Sequence, residues 1–390
     1  MLKNGELDCM ENFQALYEHL LHFDWRQLVM WLIGGVLIFL AIKKKMEPTL
    51  LLPMGFGAIL ANLPLSGAVN QINGEGEIEE GVLDVLFGMG IANELFPLLL
   101  FIGIGAMIDF SPLLSNPKLM FFGAAAQFGI FFTLSMASLF GFELKDAASI
   151  AIIGAADGPT SIFVSQQLGS NYTGAIMVAA YSYMALVPII QPPFIKLLTT
   201  HKERRIRMEY SGKKVSKLTK ILFPIVVTVI AGLVAPKAVA LVGFLMFGNL
   251  IRECMVLDSL SETASNVLAN LVTLLLGLTV ATKMQADQFL QLNTLLILGL
   301  GLIAFIFDTV GGVLFAKVIN LFAKKKINPM IGAAGISAFP MSGRVVHKLG
   351  LEEDNQNFLL MHSIGVNVSG QIASVIAGGL VLSLAQSMGA

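Results

Sequence analysis

Ser149-Ile150-Ala151-Ile152-Ile153-Gly154-Ala155-Ala156-Asp157-Gly158-Pro159-Thr160-Ser161-Ile162-Phe163-Val164 is apolar enough to enter a bilayer, yet a carboxylate flanked by Gly and Pro sits at its centre. Proline inside a helix removes an N–H and clashes one turn back, so Gly158-Pro159 predicts a break. Backbone left unpaired at membrane depth is tolerated only where protein buries it or a wet cavity receives it. A charge at that depth costs a few kcal/mol or more, so Asp157 reads as an ion or proton site. The plainer alternative is a helix cap at the membrane surface.

The rest of the chain supports the membrane reading. Of 390 residues, 55% are hydrophobic and only 13% are charged, with mean hydropathy +0.77, where a soluble domain is about a quarter charged. Several apolar runs reach the roughly 20 residues that a spanning helix needs. Cys9 and Cys254 are too few for a disulfide framework or a thiolate metal site. Glu6, Asp8 and Glu11 stand where a signal peptide would be basic. Phe13, Leu16, Leu20 and Phe23 give residues 11–25 a near-helical apolar spacing, as in an interfacial helix or a soluble lead-in.

Spans are expected at 27–43, 48–64, 92–109, 118–140 and 173–198, and again at 219–235, 238–251, 268–283, 291–322 and 357–384, with Gly311-Gly312 a place for the ninth to bend. Shorter Gly-rich apolar segments, 146–166 and 328–346, precede the last member of each set. Lys43-Lys44-Lys45, the loop from His201 to Lys220 and Lys324-Lys325-Lys326 mark the cytoplasmic side, and Glu75 to Asp84 the outside. Threading the chain through those marks makes 146–166 re-entrant from outside and 328–346 re-entrant from the cytoplasm. Leu98–Met107 resembles Leu274–Lys283, and Ile153-Gly154-Ala155-Ala156 recurs as Ile331-Gly332-Ala333-Ala334, at offsets of 176 and 178. The expected fold is an all-α polytopic membrane protein of two inverted repeats, each of about five helices with one broken segment. Residues 1–26 form an N-terminal interfacial segment, 27–200 the first repeat, 201–218 a basic cytoplasmic loop and 219–390 the second repeat. Paired interrupted helices of this kind place a transport site at mid-membrane.

Asp157, Thr160, Asn328, Ser337 and Asn367 offer hard oxygen donors. One carboxylate among neutral oxygens suits a monovalent cation, with a proton as competitor. Arg344 suits a bidentate grip on a carboxylate, or snorkels beside Lys348. Tyr181 and Tyr183 read as belt residues or as a proton donor. Asp109 reads as a helix stop, whereas Asp308 is deeper. Arg252, Glu253, Asp258 and Glu262 read as a polar loop, solvated or docking a soluble partner. No phosphate-binding loop is present. Ala281-Thr282-Lys283-Met284 is faintly like a biotin-attachment sequence but ends an apolar span.

Gly154 to Thr160, Ala180 to Pro188 and the stretch from Asn328 to Arg344 together resemble the β subunit of the sodium-pumping, biotin-dependent decarboxylases, over essentially the whole chain. That family serves oxaloacetate, methylmalonyl-CoA and glutaconyl-CoA decarboxylases. The resemblance implies a prokaryotic inner-membrane subunit that decarboxylates carboxybiotin and exports sodium, consuming an external proton. It implies partners: a biotin carrier, a carboxyltransferase and a small single-span subunit, with homo-oligomers and no nucleic acid. The functional residues it implies are Asp157, Tyr183, Asn328, Gly332, Ser337, Arg344 and Asn367. Asp157, Asn328 and Asn367 would hold one sodium ion, and Ser337 with Tyr183 a second ion or the proton. Arg344 would orient the carboxybiotin. The short chain leans toward the acyl-CoA branch. A sodium-coupled carboxylate transporter without chemistry is the alternative.

Overall fold

The computed structural model describes residues 23–72, 78–209 and 214–389, so most of the N-terminal segment lies outside the described residues. Asp24 caps helix α1 (Trp25–Lys44), accepting from the Arg26 N–H, and Gln27 reaches back to complete the capping box. Helix α2 (Pro48–Ala61) packs antiparallel against it, with Gly34 and Gly55 letting the backbones approach. Residues Gln71–Ile72 and Ile78–Glu79 pair as a two-residue antiparallel ribbon.

Seven described helices are long and apolar enough to span a bilayer. The pair α3 (Val82–Gly90) and α4 (Leu95–Met107), bent by 64°, makes an eighth if the two are taken as one broken span. The break before α4 was not legible in the sequence. The expected span at 118–140 is one continuous span, Pro117–Leu139, with a single turn residue, Gln127, between α5 (Met120–Ala126) and α6 (Phe128–Leu139). Helix α9 (Thr173–Leu198) matches its expected bounds and carries three prolines. Helices α10 (Lys217–Val234) and α11 (Val239–Cys254) follow. The stretch Asp258–Lys283 is one long span containing a π-turn over Thr263–Leu268 and helix α12 (Ala269–Val280). The expected polar loop is therefore a correction: Arg252 and Glu253 close α11, and Asp258 and Glu262 open the next span. Glu253 pairs with Lys220 at 3.3 Å, which answers its charge locally. Helix α13 (Leu292–Phe322) runs through Gly311-Gly312 without interruption.

The two Gly-rich segments are both interrupted. The first is α7 (Leu144–Ala151), a 3₁₀ turn at Ile152–Ala155, an unwound Ala156-Asp157 and α8 (Gly158–Gln167). The second is a 3₁₀ turn at Pro329–Gly335, an extended connection and α14 (Met341–Glu353). Each returns to the end it entered. The Asp146 carboxylate accepts from Ser170 Oγ at 2.7 Å and from the Asn171 N–H at 3.0 Å, closing the mouth of the first. The Arg204 carbonyl accepts from Asn328 Nδ2 at 2.8 Å and Asn357 Nδ2 at 2.7 Å, closing the mouth of the second. Helix α15 (Leu360–Ser387) lies against both and is the most buried span.

Glycine makes this packing possible where backbones meet. A Cβ on Gly312 of α13 would strike the Gly332 carbonyl, and a Cβ on Gly332 would strike that of Gly312. Buried Gln191 of α9 donates to the Ala333 carbonyl at 2.7 Å and accepts from Ser342 Oγ at 3.0 Å. A side-chain amide thus replaces the helical hydrogen bond that the 3₁₀ turn gives up.

Candidate functional site

The tips of the two interrupted segments meet in the middle of the molecule. The Ser337 N–H donates to the Ala155 carbonyl at 3.0 Å, which joins the unwound parts of both. Asp157 sits at that junction, 3% exposed. It caps α8, accepting from the Thr160 N–H at 3.3 Å, because the chain is extended at Asp157 and Gly158-Pro159 can start but not continue a helix. Its second oxygen collects Thr160 Oγ1 at 2.9 Å, Ser374 Oγ at 3.0 Å, Ser337 Oγ at 3.1 Å and Gln371 Nε2 at 3.3 Å. These donors come from three elements: α8, the second unwound connection and α15. Four neutral donors and a helix N-terminus offset the cost of a carboxylate at this depth.

Asn367 completes the set from α15. Its amide donates to the Ile336 carbonyl at 2.7 Å, while its own buried Oδ1 has no hydrogen-bond partner. That open carbonyl oxygen, one helical turn before Gln371, and the Asp157 carboxylate with its three hydroxyls offer the hard oxygen donors that suit a monovalent cation.

A cavity of about 290 Å³ leads to Asp157 from the end that carries Glu47 and Thr49. Ser337, Gln371, Tyr181 and Phe339 line it, with Glu47 and Arg344 also on its wall. Burial pushes the Glu47 carboxyl above the ordinary range, and the Arg344 charge pulls it back down. Arg344 itself is exposed and extends from α14. A separate cavity of about 460 Å³ opens at the opposite end, lined by Gln166, Tyr172, Lys283 and Thr294, and shares no residue with the first.

Of the seven residues read from the sequence, the structure brings Asp157, Ser337 and Asn367 together and sets Arg344 on the wall of their cavity. Asn328 lies elsewhere, at the mouth of the second segment, where it also accepts from the Met330 N–H at 3.1 Å. Gly332 is a packing glycine against α13. Tyr183 turns away from Asp157, and its hydroxyl donates to the Leu298 carbonyl at 2.5 Å. The phenol beside Asp157 is Tyr181, whose ring covers Gly158 and whose buried hydroxyl has no partner. Gln371 and Ser374 escaped sequence reading. They are spaced four and seven residues after Asn367, one face of a helix, which was the available signal.

Residues 26–385 match the family described as Na+-transporting oxaloacetate decarboxylase beta subunit. The chain belongs to this family. It is 45% identical to the oxaloacetate decarboxylase beta chain of Klebsiella pneumoniae, covering 97% of this chain and 100% of the relative. It is 48% identical to the glutaconyl-CoA decarboxylase subunit beta of Acidaminococcus fermentans, over 93% and 94% of the two chains. Identity to the methylmalonyl-CoA decarboxylase subunit beta of Propionigenium modestum is also 48%, over 92% and 94%. The family member in hand is therefore a multi-pass membrane subunit of the decarboxylase class.

Proposed function

We propose that this chain decarboxylates a carboxylated biotin presented by a partner carrier and couples the reaction to outward sodium transport, consuming a proton from outside. The observation that carries the reading is the buried Asp157 carboxylate at the junction of two interrupted segments, reached by a cavity with Arg344 on its wall. Arg344 offers two N–H groups to a carboxylate entering from the cytoplasm. Asp157, Ser337, Thr160, Ser374, Gln371 and the open Asn367 oxygen receive sodium. A sodium ion arriving there repels a proton from the cluster. Loss of CO2 leaves an electron pair on the ureido nitrogen, and that proton completes the N–H. The separate cavity at the far end gives sodium its way out once the site closes to the cytoplasm.

The duplication read at offsets near 177 fits this scheme: 27–200 and 219–390 act as opposed repeats, and each supplies one interrupted segment to the site. The acyl substrate is chosen by the partner carboxyltransferase, and a small membrane subunit, further copies of this chain and the inner membrane of a prokaryote complete the assembly. The test is CO2 release from free carboxybiotin by the purified chain with its membrane partner, with and without sodium. Sodium-dependent release is the expected result. Equal release without sodium, or none, would sink the coupling; sodium-driven uptake of a small carboxylate would favour a transporter without chemistry.

A further inference from the structure

Asp308 lies midway along α13, fully buried, and no side chain hydrogen-bonds its carboxylate. Among the described residues it forms no ion pair. What faces it is backbone: the N–H groups of Gly129 and Ile130, in the first turn of α6 just after the turn at Gln127. Gly129 has no Cβ, and one placed there would overlap the Asp308 carboxylate and the Ala304 carbonyl. On its other side the carboxylate lies against Gly154, in the 3₁₀ turn three residues before Asp157. Two further buried oxygens on this helix pair are open, Gln127 Oε1 and Thr133 Oγ1.

As an anion, a carboxylate in such a place would be stabilised by one feature only, the positive N-terminal end of α6. If α6 pivots at Gln127, or the 152–155 turn shifts, the anion is left in an apolar interior without a donor and must take up a proton. If they return, the proton is released. No cationic side chain of the packed elements is close enough to substitute. The titratable groups that those elements bring to this level are Asp157, already supplied with five donor contacts, and Tyr183, committed to Leu298. From these contacts we infer that Asp308 is a second protonatable site of the membrane domain, distinct from the Asp157 cluster, which binds and releases one proton as the turn at Gln127 and the 3₁₀ turn at Gly154 move.

The experiment is infrared difference spectroscopy of the complete complex between mildly alkaline and mildly acidic buffer, reading the band of a protonated carboxyl. That band is expected in the unmodified protein and in Asp157→Asn, and lost in Asp308→Asn. An unchanged band in Asp308→Asn overturns the inference, whatever the outcome of the CO2 assay. Should Asp308→Asn fail to assemble, Asp308→Glu provides the same reading: its band moves if the site is Asp308, and an unmoved band again overturns it.

Discussion

Asp157 gathers its stabilisation from several weak donors rather than from one countercharge, and that arrangement sets what substitutions will do. Asp157→Asn keeps the shape and removes the charge, so sodium-dependent CO2 release should fall by about 100-fold or more, the scale of losing an acid–base group. Ser374→Ala removes one of four side-chain donors and about 1 kcal/mol, so the sodium concentration for half-maximal activity should rise roughly fivefold with little change in the saturated rate. Sodium titrations of CO2 release check both. An unaltered half-saturation in Ser374→Ala would place the ion elsewhere. Asp157 was legible at this scale because an acid between Gly and apolar runs has few other uses. Ser374 and Gln371 were not, since a Ser or Gln in a spanning helix is common and only contact with Asp157 distinguishes them.

The interrupted segments depend on close backbone approach rather than on their own helix propensity. Gly312 and Gly332 meet with no room for a side chain on either. Gly312→Ala should therefore cost about 1–3 kcal/mol through overpacking and lower the thermal midpoint of the purified protein. Gly299→Ala on the same helix meets open space and should leave the midpoint unchanged or slightly raised. Equal effects of the two would mean that helix propensity, not contact, governs α13. Both breaks at Asp157 and at Phe339-Pro340 were readable, because Pro and Gly fall inside apolar runs. The turn at Gln127 was not, since Ala126-Gln127-Phe128 carries no breaking residue.

Across the whole molecule the charges collect at two ends. Glu353 accepts from Arg204 Nε at 2.6 Å and bonds the His201 ring at 2.9 Å, while Arg207 grips Asp354 at 2.6 Å. His201 first, and Arg204 with it, hold the Glu353 carboxyl below the ordinary range, and Arg207 does the same to Asp354. A depressed carboxylate contributes stability above its unfolded value of about 4.3 and loses it as pH falls through the folded one. The thermal midpoint should accordingly drop as pH is lowered below about 4.3, and Glu353→Gln should flatten that drop. Parallel curves for the two proteins would show that the Glu353 contacts do not contribute to stability. The same two-ended arrangement predicts that a cysteine at Ser170 reacts with an impermeant thiol reagent from outside, and one at Lys325 only from the cytoplasm.

Composition and the positions of Gly and Pro determined that the chain spans a membrane and where it breaks at Asp157 and near Pro340, because these properties act locally or through the bilayer. Only the tertiary structure decided which distant oxygens share a site. It set Tyr181 rather than Tyr183 beside Asp157, drew Gln371 and Ser374 to it, and held Asn328 at a mouth. The physical reason is that an apolar span looks alike on every face until a neighbouring helix selects which side chains must satisfy one another.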